Sequence, residues 1–450
     1  MNEAERERIV TEALASITED RLREAAVGVT SIASPTGGEA PLARWLTGRL
    51  AAAGLDAHLQ RIDDGQANAV GRLRGDGTGA DLMLYAPIDT LTTGDPDLDV
   101  PWIGPGLRPD MLAEARCEGP YVSGLGASNP KGHAACVLVV GEALAGMRPR
   151  LAGDLLIAFG AGGMPTNAID GRPTSAVGGR PTSSVGGTGR LNTGHGVGCS
   201  FLLERGWHPD YAVIAKPGDF VAHEEVGLCW FEIVVPGIHT YSGSRHRLPY
   251  QNPIVTAAEV VTRLERWLAD YPERHRTETA APQGIIGSVA GGWERMPSVT
   301  SAACRIRLDL RITPGTTPLA AKRELAEYVR RLSAELGVEL TVELMLAIPG
   351  TRTPPEDWVV RSTVRAWESV SGRPHEPIDG NSGATDANIL RARGIPTARV
   401  GMPKVVSTEF DVDFARGMNT VDVRAMRRLC ELLVRVAVDT TTRTRAEIND

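Results

Sequence analysis

Three short, uninterrupted apolar runs constrain this chain most: residues 82–86 ("LMLYA"), 155–159 ("LLIAF") and 212–215 ("AVIA"). Runs of that length without polar alternation read as buried core strands. Helical spacing of apolar residues over 3–27, over 40–54 and from His133 onward places helices between and around them. Strands alternating with helices make an α/β sheet. The first run stops at Pro87, and an acid, Asp89, follows where the strand's C-terminal end meets a loop. Open α/β sheets carry their chemistry at that edge.

From about Val226 the pattern changes. "LCWFEIVVPG" reads as a strand, 253–269 as a helix, "QGIIGSVAGG" and "SAACRIRLDLRI" as strands, 317–337 as a helix and "VELTVELML" as a strand. That βαββαβ order is a ferredoxin-like unit. The expected organisation is therefore a larger α/β domain over 1–225 and 347–450, interrupted by a smaller domain over 226–346. Within the first, residues 161–198 are rich in Gly, Ser, Thr and Pro and hold a tandem eight-residue repeat, 172–179 and 180–187. Such a composition cannot bury a core. It is either a flexible loop lengthened by duplication or a lid over the cleft.

The chain has 450 residues and a formal charge of −7, which gives no sign of nucleic-acid binding. No apolar run is long enough to span a membrane. The start, "MNEAERERIVTEALASI", is a charged amphipathic helix rather than a signal peptide. Six scattered cysteines without a CxxC pair fit unpaired thiols in a reducing cytoplasm. The abundance of Ala, Gly, Arg and Pro resembles a GC-rich bacterial coding bias.

Six ordered segments go further: "APIDT", "GLGASNPKG", "IAKPGD", "VPGIHTYSGSRHRLPYQNPI", "CRIRLDLRITPG" and "SGATDANILRARGIPTARVG". Over nearly the whole chain they resemble the M20 peptidase/aminoacylase family of acetylornithine deacetylase, succinyl-diaminopimelate desuccinylase and glutamate carboxypeptidase. The resemblance implies a catalytic-type α/β domain, an inserted ferredoxin-like lid through which the chain forms a homodimer, and a small-molecule substrate between the two. It also implies where two zinc ions would be held, and there this chain departs from the family. The first zinc histidine falls on Pro87, with the acid that orients it kept as Asp89. The metal-bridging aspartate falls on Asn129. The Glu-Glu pair falls on Gly162 and Gly163, and no glutamate occurs between Asp154 and Glu204. The next carboxylate ligand falls on Lys216, and the last zinc histidine near Phe414, beyond the final histidine, His375. A catalytic zinc needs about three protein ligands; this set is expected to hold no metal, and no other cofactor is expected.

A lysine can supply the positive charge that a metal would offer an oxyanion. Lys216 is expected to face Asp89, with Asn129 and His133 lining the same hollow. Those four are the candidate catalytic residues, His133 as a base near neutral pH. Equally, Lys216 and Asp89 make a structural ion pair, and His133 packs at a helix start. "SNPK" matches a Ser-x-x-Lys spacing by coincidence. Candidate substrate-binding residues are Ser382, Gly383, Thr385 and Asp386 of the Ser-Gly-x-Thr-Asp loop, and Arg311, which falls on the family's lid arginine. Tyr241 falls near the lid histidine that reaches across the dimer, with His239 and His246 beside it. His195, at the end of the insert, either swings in or is a solvated loop residue.

The expected function is hydrolysis of a C–N bond in a small carboxylate-bearing amide or N-acyl amino acid-like compound, without metal. The alternatives are a non-catalytic binder of a carboxylate ligand or partner protein, and a non-hydrolytic reaction (elimination, isomerisation or acyl transfer) in the same cleft.

Overall fold

A computed structural model of the chain describes residues 1–166 and 194–449. The tandem repeat, and with it the choice between loop and lid, lies outside the described residues.

The larger sheet is built from β1 (Asp56–Arg61), β2 (Ala67–Leu73), β3 (Leu82–Pro87), β4 (Leu155–Gly160) and β5 (Tyr211–Ala215), closed by a strand near the C-terminus, Thr397–Val400. Its order is β1-β2-β4-β3-β5 and then Thr397–Val400. The four strands from β4 onward run parallel. The three apolar runs of the sequence are therefore neighbours at the centre, fully buried as their lack of alternation requires. β3 has β4 on one side and β5 on the other, so the chain reverses direction across the sheet there. The crevice of such a sheet opens at that point, beyond the strands' C-terminal ends. Leu82, Leu84 and Ala86 pack under the helices Lys131–Met147 and Val423–Thr441, while Met83 and Tyr85 face Val197–Glu204 and Ala387–Ala392.

The smaller sheet comprises β6 (Gly227–Pro236), β7 (Gly284–Gly291), β8 (Ala303–Ile312) and β9 (Thr341–Ile348), all antiparallel in the order β7-β8-β6-β9. With the helices Pro253–His275 and Pro318–Leu336 this is the ferredoxin-like lid. Cys229, Phe231, Ile233 and Val235 of β6 and Cys304, Ile306, Leu308 and Leu310 of β8 form its core beneath those helices. The alternate residues line the open face: Glu232 pairs with Arg305 and Arg307, and Asp309 with Arg311. Period-2 alternation fixes that division, since one side of the sheet is covered and the other is not.

The structure departs from the expected elements at several points. Residues 3–27 form two helices, Glu3–Ser16 and Glu19–Thr30, because Thr18 caps the second and its hydroxyl accepts from Arg21 N–H. The helix expected from His133 begins at Lys131. The loop after β3 holds a short helix, Pro96–Ile103, capped by Asp95. The Pro/Gly/Asp composition that suggests a loop is here an N-cap and a first-turn proline.

Candidate functional site

At the end of β3, Asp89 is fully buried. Its Oδ1 accepts from Gly163 N–H at 2.8 Å, and its Oδ2 from Met164 N–H at 2.9 Å and the Thr36 hydroxyl at 2.7 Å. Those bonds fix the loop after β4 against the loop before the helix Ala40–Ala52. Beyond β5, Lys216 is 7% exposed, and its ammonium donates to Asn129 Oδ1 at 3.3 Å. Among the described residues it makes no ion pair within 4.0 Å, so the expected direct Lys216–Asp89 pair is not formed. The two interact through space. Burial lowers the lysine's pKa, and Asp89 and then Asp386 pull it back up.

His133 is expected to line the hollow as a base, but its ring is engaged on both sides. Nδ1–H donates to Ser128 O at 2.8 Å, and Nε2 accepts from Met402 N–H at 3.4 Å. Burial holds it neutral, with a pKa lowered to about 3. It joins the start of its helix to the loop after Thr397–Val400, and neither nitrogen is left for a substrate. The Lys131 ammonium donates to Thr30 O and Ile32 O, not to Ser128, in keeping with a coincidental Ser-x-x-Lys match.

Asp386, read from the sequence as a substrate contact, is central. It is 3% exposed, and the Tyr85 hydroxyl donates to its Oδ2 at 2.6 Å. Its pKa is raised to about 6, chiefly by burial; Tyr85 and Lys216 work against the rise, and Asp89 and Glu225 add to it. The site closes around this carboxylate. A Cβ on Gly163 would lie 2.4 Å from Pro87 Cβ and 3.1 Å from Asp386 Oδ2, and one on Gly160 would lie 1.9 Å from the Tyr85 hydroxyl oxygen. Where the resemblance places a zinc histidine and a glutamate, Pro87 and the Asp386 carboxylate fill the space. Gly163→Ala is expected to destabilise the fold by about 1–3 kcal/mol through this overpacking, read as a lower urea midpoint; an unchanged midpoint would show that the loop yields freely.

The remaining sequence candidates divide. Thr385 donates from both N–H and hydroxyl to Glu225 Oε2, at 3.1 and 2.7 Å, and Gly383 N–H donates to Asn381 Oδ1. The Ser382 hydroxyl is buried without a partner. Arg311 is tied to Asp309 at 2.7 Å on the lid's open face. His239, Tyr241 and His246 are exposed on the lid, and among the described residues no hydrogen bond joins them to the sheet-edge group. His195 is not a solvated loop residue. It is half-buried, its φ is +60°, and its ring meets Trp230 of β6 edge-on at 4.8 Å. It therefore links the end of the insert to the lid's open face.

Sequence reasoning missed Tyr85, Glu225, Arg399 and Glu39. Tyr85 was hidden inside an apolar run. Glu225 and Arg399 form a buried ion pair at 3.1 Å, formed from residues far apart in sequence. Glu39 is wholly buried; its Oε1 accepts from Gly37 N–H and Gly162 N–H, and burial with Asp89 nearby raises its pKa to about 8.

Among the described residues the side chains at this sheet edge do not converge as a divalent-metal site would. A zinc site converges about three or four N, S or O ligands on one point. Among the described residues no group of three or more His, Cys, Asp or Glu side chains is placed to do so. The Asp89 oxygens are directed at N–H groups, and an ammonium stands beside them.

No protein-family model matches the chain. A succinyl-diaminopimelate desuccinylase of Cereibacter sphaeroides is 26% identical over 205 residues, covering 45% of this chain and 49% of that protein. The chain thus spans about half the length of the curated relatives it matches. Among solved structures, human carnosine dipeptidase 1 superposes with a TM-score of 0.66 at 12% identity, covering 97% of this chain and 98% of that one. An M20 family metallo-carboxypeptidase of Sulfolobus solfataricus gives 0.62 at 13% identity, covering 93% and 98%. The chain has the fold of the M20 peptidases. That fold is kept across both sheets, while the sheet edge carries Lys216, Asp386 and Tyr85. No helix among the described residues is long and apolar enough to cross a membrane.

Proposed function

We propose that this chain is an M20-type hydrolase that cleaves the C–N bond of a small carboxylate-bearing amide or N-acyl amino acid-like compound without a metal, at the sheet edge beneath the lid's open face. The observation that carries this reading is the buried Lys216 ammonium, held by Asn129 at the end of a central strand among Asp89, Asp386 and Glu225. Fixed positive charge in a water-poor site stabilises a developing oxyanion without reorganising at the moment of reaction. Asp386 is the base. Its carboxylate takes a proton from water as the water oxygen bonds to the amide carbon, and the carbonyl oxygen becomes an oxyanion against Lys216. The intermediate collapses, the C–N bond breaks, and Asp386 returns the proton to the leaving amine. Asp89 holds the loop in place and moves no proton. The curated relative is a desuccinylase, and solved neighbours include peptidases, which supports amide chemistry.

The chain works as a homodimer in the bacterial cytoplasm on this proposal. In support, the lid exposes Tyr241, Val255, Ile285 and Val289, each more than half accessible, and the described cysteines are all free thiols.

The test is release of free amine from a panel of N-acyl amino acids and dipeptides, after dialysis against chelator and with zinc restored. Turnover of at least one compound, unchanged by either treatment and with zinc well below stoichiometric, is expected. Turnover that appears only with added zinc would sink the proposal. A binder without turnover is the second reading; the observation favouring it is that Asp89 and His133 are both committed to backbone partners.

A further inference from the structure

Another cavity, of about 260 Å³, opens where the loop after β5 and the loop after Thr397–Val400 meet two helices, Trp358–Ser371 and Val423–Thr441. The two loops are joined: Lys216 N–H donates to Val400 O at 2.9 Å, and Gly218 N–H to Met402 O at 3.1 Å. The floor of the cavity is apolar, built from Trp367, which is 4% exposed, and from the buried Leu429 and Leu432. The rim is charged and exposed, with Asp219 on the Lys216 loop, Arg428 on the second helix and Arg373 just beyond the first.

These charges are open. The other three arginines of the helix Val423–Thr441 are held by protein acceptors: Arg424 by Asp422, Arg427 by Ile17 O and Arg435 by Glu431. Among the described residues the side chains of Arg428 and Asp219 make no hydrogen bond or ion pair. Arg373 Cζ lies 4.8 Å from the centroid of the Trp367 ring. That contact uses the face of the guanidinium and leaves its N–H edge free.

A simple anion in the cavity would meet Asp219, and a simple cation would meet two guanidinium groups; like charges set together cost several kcal/mol. A zwitterion satisfies both signs. An α-amino acid carries its carboxylate, its ammonium and its side chain on one carbon. The carboxylate matches a guanidinium fork, the ammonium matches Asp219, and an aliphatic side chain matches the floor. The volume lies below the roughly 300–1,000 Å³ of drug-sized ligand pockets, which suits so small an occupant.

We infer that this cavity binds a free α-amino acid with an aliphatic side chain, at a site separate from the sheet-edge group. Because one of its walls is the loop that carries Lys216, the bound amino acid regulates turnover. That consequence rests on the hydrolase reading; the binding does not.

Calorimetric titration of the full chain with L-leucine, with L-leucinamide, which lacks the carboxylate, and with 4-methylpentanoate, which lacks the ammonium, tests it. Leucine is expected to bind about tenfold or more tighter than either. Arg428→Gln is expected to cancel the preference over the amide, and Asp219→Asn the preference over 4-methylpentanoate. Both side chains are exposed and unpaired, so both variants are expected to keep the parent's circular dichroism and melting. No binding of leucine at millimolar concentration, equal binding of the three compounds, or unaltered preferences in the two variants would overturn the site. In the amide-hydrolysis assay, saturating leucine is expected to change kcat or KM several-fold, and Asp219→Asn to abolish that change; turnover indifferent to leucine would overturn the regulation. Leucine binding that depends on Asp219 and Arg428 in a protein that hydrolyses none of the amides would leave the site standing and remove the hydrolase reading.

Discussion

Lys216→Met is expected to lower kcat/KM by about 10²–10³-fold, the cost of removing one fixed oxyanion partner, with the fold retained. Methionine nearly matches the lysine stem in volume and length, and among the described residues the ammonium it removes has one hydrogen-bond acceptor, Asn129. Its loss therefore leaves no unsatisfied network, and deleting a buried charge relieves a desolvation cost. A second consequence separates a chemical role from a structural one. Lys216 is an attractive charge for Asp386, so its removal raises the Asp386 pKa, and the acid limb of any residual activity moves to higher pH. Turnover within a few-fold of the parent protein, with circular dichroism and melting unchanged, would take Lys216 out of the reaction.

Asp386→Asn is expected to reduce turnover by about 10²–10⁴-fold, the usual contribution of a positioned base, and to stabilise the fold at neutral pH. The two effects have one cause. The folded-state pKa of Asp386 is raised from 3.8 to about 6. A carboxyl raised on folding keeps its proton in the native state while the unfolded chain loses it, so stability falls as pH rises between the two values and is flat above the upper one. On about 1.4 kcal/mol per pKa unit the loss amounts to about 3 kcal/mol. Asparagine never ionises, so urea unfolding should show the variant ahead of the parent by up to that amount above pH 6, converging near pH 4. The parent's kcat/KM should rise through about pH 6 and then level off. In Tyr85→Phe, which removes the hydrogen bond that lowers the pKa, the rise should move to higher pH. Coincident profiles for the parent and Tyr85→Phe, or an active Asp386→Asn, would assign the base elsewhere. A site that trades stability for a poised carboxylate is the expected signature of function rather than packing.

Both experiments turn on groups whose importance was only partly legible in the chain. Lys216 could be singled out because the family resemblance puts a metal-binding carboxylate at its position, directly after a buried apolar run. Asp386 was read as a substrate contact in its loop, not as a buried carboxylate with a shifted pKa. Its partner, Tyr85, comes 301 residues earlier, inside a run that looks wholly apolar. Asp89 illustrates the opposite failure. It looked like the counter-ion of Lys216, yet the folded loop offers it two N–H groups and a hydroxyl at shorter range. His133 likewise found carbonyl and N–H partners that no side-chain pattern discloses.

What the sequence determined by itself is the α/β sheet, the ferredoxin-like insertion and the strand ends that border the cleft, because apolar periodicity is local and decides which face of each element is buried. The tertiary structure alone decided which polar groups share the buried space at those ends, and so which are saturated, which are shifted and which remain open. Hydrogen-bond partners depend on strand order and loop approach, and these juxtapose residues hundreds of positions apart that leave no common period in the chain.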